Sequence, residues 1–370
     1  MAKRVSVDKT LFTVTLILVF IGLVMVFSAS AVIAKDKFGS PYHFVVRQFG
    51  WALAGLAAML GAMRLDYRRY KHPAVVFSLM AVTTLLLISV FFLDRTHNTH
   101  RWIKLGPLSF QPSELAKPTL ILFLAYFLET RTRSMDDWRG TLMPAIAPAV
   151  VMSALILVQP DLGTALACGA ISAVILFVAG MSLKYYAYAL APLPLFFYFF
   201  IVRVPWRYQR ILAFLDPYSD PQGRGFHIIQ SLIAVGTGGL TGLGLMEGKQ
   251  KLFYLPEPHT DFIFAVTAEE LGLLGASVVV ALFAIFLYRA IRAAVITDDV
   301  FARYLATGIG AMVGVQALFN ISVVLGMAPT KGIPLPFISF GGSSLLATLI
   351  GVGVLLNISR QSNAAMLAQQ

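Results

Sequence analysis

The sequence predicts an all-α integral membrane protein with ten transmembrane helices and one long extracytoplasmic loop between helices seven and eight. Three observations carry that prediction. The 370 residues are 58% hydrophobic and 13% charged, with a mean hydropathy of +0.78, whereas about 25% of a soluble domain is charged. Apolar runs near or above the ~18 residues that a membrane-crossing helix needs recur along the whole chain. The Lys and Arg residues gather in the loops between those runs. The formal net charge of +11 therefore reads as orientation signals and contact with anionic lipid, and no nucleic-acid partner is expected.

Taking apolar runs as helices places the spans near 11–33, 45–63, 74–93, 111–129, 141–158, 162–181, 186–203, 262–290, 301–325 and 343–359. The first follows the basic "MAKRVSVDK", and "SASA" within it imitates a cleavage site. Its apolar stretch is longer than the ~7–15 residues of a signal-peptide core, so it reads as a retained span. Ten crossings put both termini on one side. Short loops on that side carry 15 basic residues (Lys3, Arg4, Lys9, Arg64, Arg68, Arg69, Lys71, Arg131, Arg133, Arg139, Lys184, Arg289, Arg292, Arg303, Arg360), against 7 on the other (Lys35, Lys37, Arg47, Arg95, Arg101, Lys104, Lys331). The basic side is the cytoplasm. The segment from about 204 to 261 is left out of the count, because long loops translocate largely regardless of charge, and it faces outward. Within it "GFHIIQSLIAVGTGG" has helical apolar spacing and predicts an amphipathic helix lying on the bilayer, followed by a Gly-rich loop, "GTGGLTGLGLMEGKQK". With no repeat, low-complexity tract or soluble domain, residues 1–370 read as a single membrane domain. The one cysteine, Cys168, sits among apolar residues and reads as a packed thiol.

Ionisable groups at membrane depth are costly and usually mark function. In "HRWIKLGPLSFQPSELAKP", Glu114 and Lys117 lie three residues apart on one helix face. They form either a buried ion pair that fixes packing or the lining of a polar cavity. In the second case Arg101 and Lys104 stand above them to hold phosphate oxygens. In "QPDLGT" (159–164), Pro160 and Gly163 break a helix around Asp161. That residue either caps the next helix or contacts a metal or sugar. In "YLPEPHTDFIFAV" (254–266), Asp261 stands at the N-terminus of span eight, where the helix dipole favours its ionised form. It is either a capping residue or a carboxylate beside a basic pocket built with His259, Glu257, Arg203, Arg207, Arg210 and Arg224. The second arrangement suits a general base that deprotonates a hydroxyl while cations hold an anionic leaving group.

Other motifs fail. "GLMEGKQ" resembles a phosphate loop, but Leu243 stands where its first glycine belongs and Gln250 where Ser or Thr belongs. The zinc-protease H-E-x-x-H pattern is missing. "GIGAMVG" (308–314) has the spacing of helix-packing glycines. "GIPLPFISFGGSS" (332–344) is a Pro/Gly-broken entry to the last span, and such backbone must be buried in protein or line a water-filled cavity.

"FSAS" in span one, "HRWIKLGPLSFQPSELAK", "QPDLGT", "YLPEPHTDFIFAVTAEELG" and "PTKGIPLPFISFGGSS" occur in the order found in the SEDS (shape, elongation, division and sporulation) proteins. From about residue 10 to 359 the chain resembles that family, and within it the division branch more than the elongation branch, on the strength of "PTKGIPLPFIS". The resemblance implies a peptidoglycan glycosyltransferase that polymerises lipid II at the outer face of the bacterial cytoplasmic membrane. It places the essential acid on Asp261, in the H-T-D-F motif. It assigns the basic residue before Trp to Arg101 and the membrane-embedded acid–base pair to Glu114 and Lys117. Lys104, Asp161, Arg210, His259 and Ser343 complete the expected substrate-binding set.

In the implied reaction Asp261 takes the proton of a GlcNAc 4-hydroxyl on lipid II while that oxygen attacks the anomeric carbon of a glycan-bearing donor. The donor is α-linked through pyrophosphate to a polyprenol and the product is β-1,4, so a single inverting displacement suffices. Arg101, Lys117 and Arg210, with a divalent cation such as Mg or Mn, are the candidates for neutralising the pyrophosphate. No organic cofactor is expected. The chain has no transpeptidase signature, so the resemblance also implies a class B penicillin-binding protein as partner, among other division proteins. The rival readings are a lipid II flippase and a non-catalytic division scaffold. Transporters often carry inverted repeats, and this sequence shows none.

Overall fold

A computed structural model describes residues 7–94, 100–105, 108–131, 135 and 137–369; Lys3, Arg4, Arg95 and Arg133 of the charge count lie outside the described residues. Ten helices coincide with the ten predicted spans: α1 Lys9–Phe38, α2 His43–Arg64, α3 Pro73–Leu93, α4 Pro112–Thr130, α5 Trp138–Val158, α6 Leu162–Val178, α7 Leu183–Val202, α10 Ile263–Ile296, α11 Val300–Val324 and α12 Gly342–Gln369. Between α7 and α10 lie two further helices, α8 Pro205–Leu215 and α9 Phe226–Thr237. Among the described residues eight of the helices are long and apolar enough to cross a membrane. The other two in the predicted set are α4, which carries Glu114, Lys117 and Glu129 in its apolar run, and α6, with 17 residues. The chain is an all-α, multi-pass membrane protein.

Local chemistry explains the helix ends. Asp8 caps α1 by accepting from the Leu11 amide, Asp299 caps α11 through Phe301, and Pro stands in the first turn of α3, α4 and α8. The core is a continuous apolar cluster in which α12 packs along α2, α10 along α1 and α11, and α4 against α3, α6 and α11. The predicted packing glycines do that work. A Cβ at Gly308 would come within 2.4 Å of Ile121, and one at Gly314 within 2.6 Å of Leu287, so α11 approaches its neighbours as only a glycine surface permits. Helix α7 buries none of its residues, as suits a lipid-facing helix. Cys168 is fully buried.

Glu114 and Lys117 form a buried ion pair that also ties two helices together. Both are about 3% exposed; Lys117 Nζ donates to Glu114 Oε2 at 2.8 Å and to Gln316 Oε1 at 2.6 Å, tying α4 to α11.

Three features differ from the sequence reading. A short antiparallel hairpin, β1 Ile103–Leu105 and β2 Leu108–Phe110, interrupts the helices, with Ile103 opposite Phe110. Helix α9 does not simply lie on a bilayer: it buries Ile228, Ile229 and Ala234 against α10 and α11, and Ser231 donates to the Val324 carbonyl at 2.8 Å. Its apolar stripe had a protein partner that spacing alone does not reveal. The Gly-rich loop does not project freely either. The amides of Leu243 and Gly244 bond the carbonyls of Glu269 and Glu270, and those of Leu273 and Leu274 bond back to Gly239 and Leu240. This pairing is possible because α10 is kinked at Gly272, whose φ of 66° belongs to glycine, and because a Cβ there would sit 2.2 Å from the Gly242 nitrogen. The broken entry 332–344 is largely buried in protein, as its backbone chemistry requires.

Removing one member of the α4 pair leaves the other charge buried and unpaired, at a cost of about 3–5 kcal/mol. Lys117→Met should therefore melt well below wild type in detergent, while Glu114→Gln with Lys117→Met recovers most of the loss. Equal melting of the single variant and wild type would contradict the assignment.

Candidate active site

At the end of the bundle where α6, α10 and α12 begin, the backbone just before α10 is fixed at three consecutive carbonyls. His259 accepts from the Phe340 amide at 2.9 Å, Thr260 from Ser339 Oγ at 2.6 Å, and Asp261 from Asn320 Nδ2 at 2.8 Å. The same Asn320 amide also donates to the Ile333 carbonyl at 2.8 Å, so one side chain on α11 joins the Asp261 backbone to the 325–341 connection. The Asp261 side chain does not cap α10. The capping position is Phe262, with no side-chain bond, which leaves the carboxylate free of hydrogen bonds among the described residues.

That carboxylate stands between two cavities. One, of about 180 Å³, is lined among others by Arg101, Asp161, Arg207, Arg210, Asp261 and Lys331. The other, of about 390 Å³, is lined among others by Gln209, Arg210, Arg224, His227, Glu257 and Asp261. Trp206, Arg210, Asp261, Thr330, Lys331 and Gly332 face both, and Asp261 is the one acid shared by the two lobes. A Cβ at Gly332 would lie 2.8 Å from Asp261 Oδ2, so a larger residue there would push the carboxylate aside.

The charges have identifiable supports. Helix α8 presents Arg207 and Arg210 against Trp206, with their guanidinium carbons 4.9 and 5.2 Å from its ring centroid, and Arg210 donates to the Thr330 carbonyl at 3.3 Å. Arg101 Nε donates to the Gln159 carbonyl at 3.0 Å and its Nη2 to that of Pro160, clamping the turn before α6. Asp161 caps α6 by accepting from the Thr164 amide at 3.1 Å and its hydroxyl at 2.8 Å, so the turn alternative holds while the residue still lines the first lobe. The Lys331 ammonium has no hydrogen-bond or ion-pair partner among the described residues, while its carbonyl accepts from the Ile333 amide at 3.0 Å.

Burial pushes the Asp261 carboxyl up to about 6, reinforced by Glu257 and opposed by Arg210. The helix-dipole expectation of a strongly favoured ionised form is thus outweighed by desolvation. Burial, with Arg210 and Arg207 nearby, pulls Lys331 down to about 8. A carboxylate near 6 is deprotonated at neutral pH yet basic enough to take a proton, and the surrounding cations suit an anionic group with several oxygens.

Of the residues expected from sequence, Arg101, Asp161, Arg210 and Asp261 come together here. Five do not. Glu114 and Lys117 form the buried tie between α4 and α11 and line neither lobe. Lys104 is exposed on β1. Ser343 is buried in the first turn of α12. His259 is buried against Phe44 and Phe340, with ring centroids 4.4 and 5.7 Å away. Its burial, and then Lys37, lower the imidazole to about 4, so it is neutral and supports the backbone without touching Asp261 as a base partner. Arg207, expected in the basic pocket beside Asp261, lines the first lobe; sequence reasoning missed Lys331 and Asn320. Lys331 had a signal, as the one cation in a Pro/Gly-broken connection. Asn320, polar within an apolar helix, had a weaker one. Among the described residues no three His, Cys, Asp or Glu side chains are grouped to hold a metal, and Asp161 is committed to its cap. This donor set does not fit a protein-held metal centre.

A family model for cell cycle proteins of the FtsW/RodA/SpoVE type matches residues 8–364. The chain is 44% identical over 354 residues to a probable peptidoglycan glycosyltransferase FtsW of Geobacter metallireducens, covering 95% of this chain and 94% of that one. It is 42% identical to the stage V sporulation protein E of Bacillus subtilis, covering 97% and 99%. Among solved structures it is similar to a chain of a peptidoglycan synthase complex that coordinates polymerization and crosslinking, with 32% identity, a TM-score of 0.78, and 96% and 98% of the two chains covered. It is also similar to the rod shape determining protein RodA of Thermus thermophilus, with 30% identity, a TM-score of 0.70, and 96% and 97% covered. With motifs, fold and nearly the full length in agreement, the chain belongs to the FtsW/RodA/SpoVE family of SEDS proteins.

Proposed function

We propose that this chain is a peptidoglycan glycosyltransferase that polymerises lipid II into β-1,4 glycan strands during cell division. The observation that carries the reading is the unbonded Asp261 carboxylate on the wall between two cavities, surrounded by Arg101, Arg207, Arg210 and Lys331. A reaction between two lipid-linked sugars, one leaving as a pyrophosphate, requires a base and a cluster of cations at the meeting point of two substrates. Family membership and the names of the relatives support the same reaction.

The chain acts as one membrane domain with ten crossings, α4 and α6 included, both termini in the cytoplasm and the two-lobed site facing the periplasm or exterior. The balance of 15 basic residues against 7 supports that orientation. The first lobe takes the donor pyrophosphate, where three or four cations offset its charge. The second, with Gln209, His227 and Glu257, takes the acceptor sugar. Asp261 accepts the 4-hydroxyl proton as that oxygen bonds to the donor anomeric carbon and the carbon–oxygen bond to pyrophosphate breaks. The configuration inverts once, and no acid is needed because the cations stabilise the leaving group. Lys104 stands at the hairpin rim and meets substrate only on its way in. Glu114, Lys117, His259 and Ser343 act by holding the frame. A divalent cation enters only as a companion of the substrate pyrophosphate. A class B penicillin-binding protein is the expected transpeptidase partner, supported by the similarity to a chain of a synthase complex.

Asp261→Asn, assayed on purified lipid II with the partner present, should lower polymerisation by about 10²–10⁴-fold, the usual worth of a positioned base. Wild-type rates in that variant would remove the base assignment, and lipid II crossing liposome membranes without glycan product would favour a flippase. The pH profile of kcat/KM should rise through about 6 as Asp261 loses its proton and fall through about 8 as Lys331 loses its own. Lys331→Met should abolish the alkaline limb, and a limb near 8 that persists in that variant would contradict the lysine's role. Gly332→Ala should displace the carboxylate and lower kcat by about 10–100-fold in a folded protein, since an ångström of misplacement is worth about that much.

A further inference from the structure

Three sequence motifs that the reaction does not use meet in one buried cluster: "FSAS" on α1, "EGKQK" at the end of the Gly-rich loop, and "AEELG" on α10. Lys251 is 3% exposed and Glu270 fully buried. Lys251 Nζ donates to Glu270 Oε1 at 2.6 Å and to Ser28 Oγ at 3.0 Å, while the Ser28 hydroxyl lies 2.7 Å from the Glu270 carboxylate. Glu270 Oε2 accepts from the Met246 amide at 3.0 Å. Beside it Glu269 Oε1 accepts from the amides of Lys249 and Gln250 at 2.8 and 3.1 Å. Both carboxylates are thus occupied by the loop, and none of these groups lines the two-lobed site.

We propose that Lys251, Glu270 and Ser28, with Glu269 beside them, form a buried latch that positions Asp261 for the transfer reaction. Lys251 stands ten residues before Asp261 and Glu270 nine after it, so their ion pair closes a loop with the catalytic carboxylate near its middle. The downstream half of that loop is the first two turns of α10, which are rigid. The upstream half, 252–260, has no regular structure and includes Phe253 and Glu257 at φ of 68° and 47°. Left-handed backbone at such residues is strained and persists only where its surroundings hold it. The hydrogen bonds at His259, Thr260 and Asp261 hold one end of this strained strap, and the latch holds the other. Stability alone does not account for a buried ion pair, because apolar residues of similar volume often serve as well. A fixed register for the strap does account for it: the pair, the serine on α1 and three loop amides are satisfied together in one arrangement. Among the described residues the Asp261 side chain has no hydrogen bond of its own, so this backbone carries most of the task of placing it.

The proposal rests on the polymerase reading, and one experiment separates the two. The full-length chain in nanodiscs, with its partner, is assayed on lipid II as wild type, Glu270→Gln and Ser28→Ala. Amide exchange is followed over 243–250 and over 260–266. In Glu270→Gln both segments should exchange faster. In that variant kcat should fall by about 10–100-fold with KM for lipid II little changed. The acid limb should move to lower pH, because a carboxylate released toward water loses the burial that raises it. Ser28→Ala should show the same pattern at smaller size, and it carries the test should Glu270→Gln fail to fold. Faster exchange over 243–250 with kcat and the acid limb unmoved would overturn the proposal. A fall in activity with the acid limb unmoved would do the same, since it would mark a simple folding defect. If wild type makes no glycan, the polymerase reading fails. Exchange at 260–266 then decides the latch alone, and unchanged rates there would sink it.

Discussion

The hydrogen bonds that Phe340, Ser339 and Asn320 give to three successive carbonyls are the constraint on which the site depends. A carboxylate poised for proton transfer has to be accessible and uncommitted, so it cannot be fixed by its own oxygens. Fixing the main chain instead leaves both oxygens of Asp261 available. The arrangement also explains why a polar amide is placed inside α11: Asn320 is 2% exposed, and it satisfies two carbonyls that would otherwise be buried without donors. The glycine at 332 completes the geometry by letting the second strand of backbone pass within contact of the carboxylate.

Electrostatics at this point is a contest between burial and charge. Desolvation raises the carboxyl and lowers the lysine, drawing the two toward neutrality from opposite directions, while the arginines resist protonation of the acid. The result is a base and a cation that both titrate within reach of neutral pH. Arg207 and Arg210 also repel Lys331, and a multiply charged anion relieves that repulsion when it enters. The cluster is thus most comfortable with substrate bound.

Much of the architecture was legible in the residues. The all-α, multi-pass architecture followed from the length and spacing of apolar runs, because the bilayer punishes any other use of such segments. Arg101, Asp161, Arg210 and Asp261 were found because charge is rare in this composition. What was not legible depended on long-range pairing. Local spacing cannot tell that α9 has a protein partner, that "GTGGLTGLGL" threads back against a kinked helix, or that residues 103–105 pair with 108–110. The same limit explains the residues that were grouped with the site but lie elsewhere. Glu114 and Lys117 have the composition of a functional pair, and only the position of Gln316 on another helix reveals them as a packing tie. His259 sits two residues from Asp261 in the sequence, yet its ring points to Phe44 and Phe340.

The two lobes share a single wall, and this has a consequence for chain growth. In the proposed reaction the lengthened glycan ends each round attached to the acceptor's own lipid, so it finishes in the lobe with Gln209, His227 and Glu257. To serve as the next donor it must cross to the side of Arg101 and Arg207, past the same Asp261 that made it. Arg210 and Lys331 face both compartments and offer a continuous handhold for the pyrophosphate during that step. On this proposal, repeated transfer would be a short lateral ratchet of a phosphate group, with the nascent strand advancing by one disaccharide each time the anion changes sides.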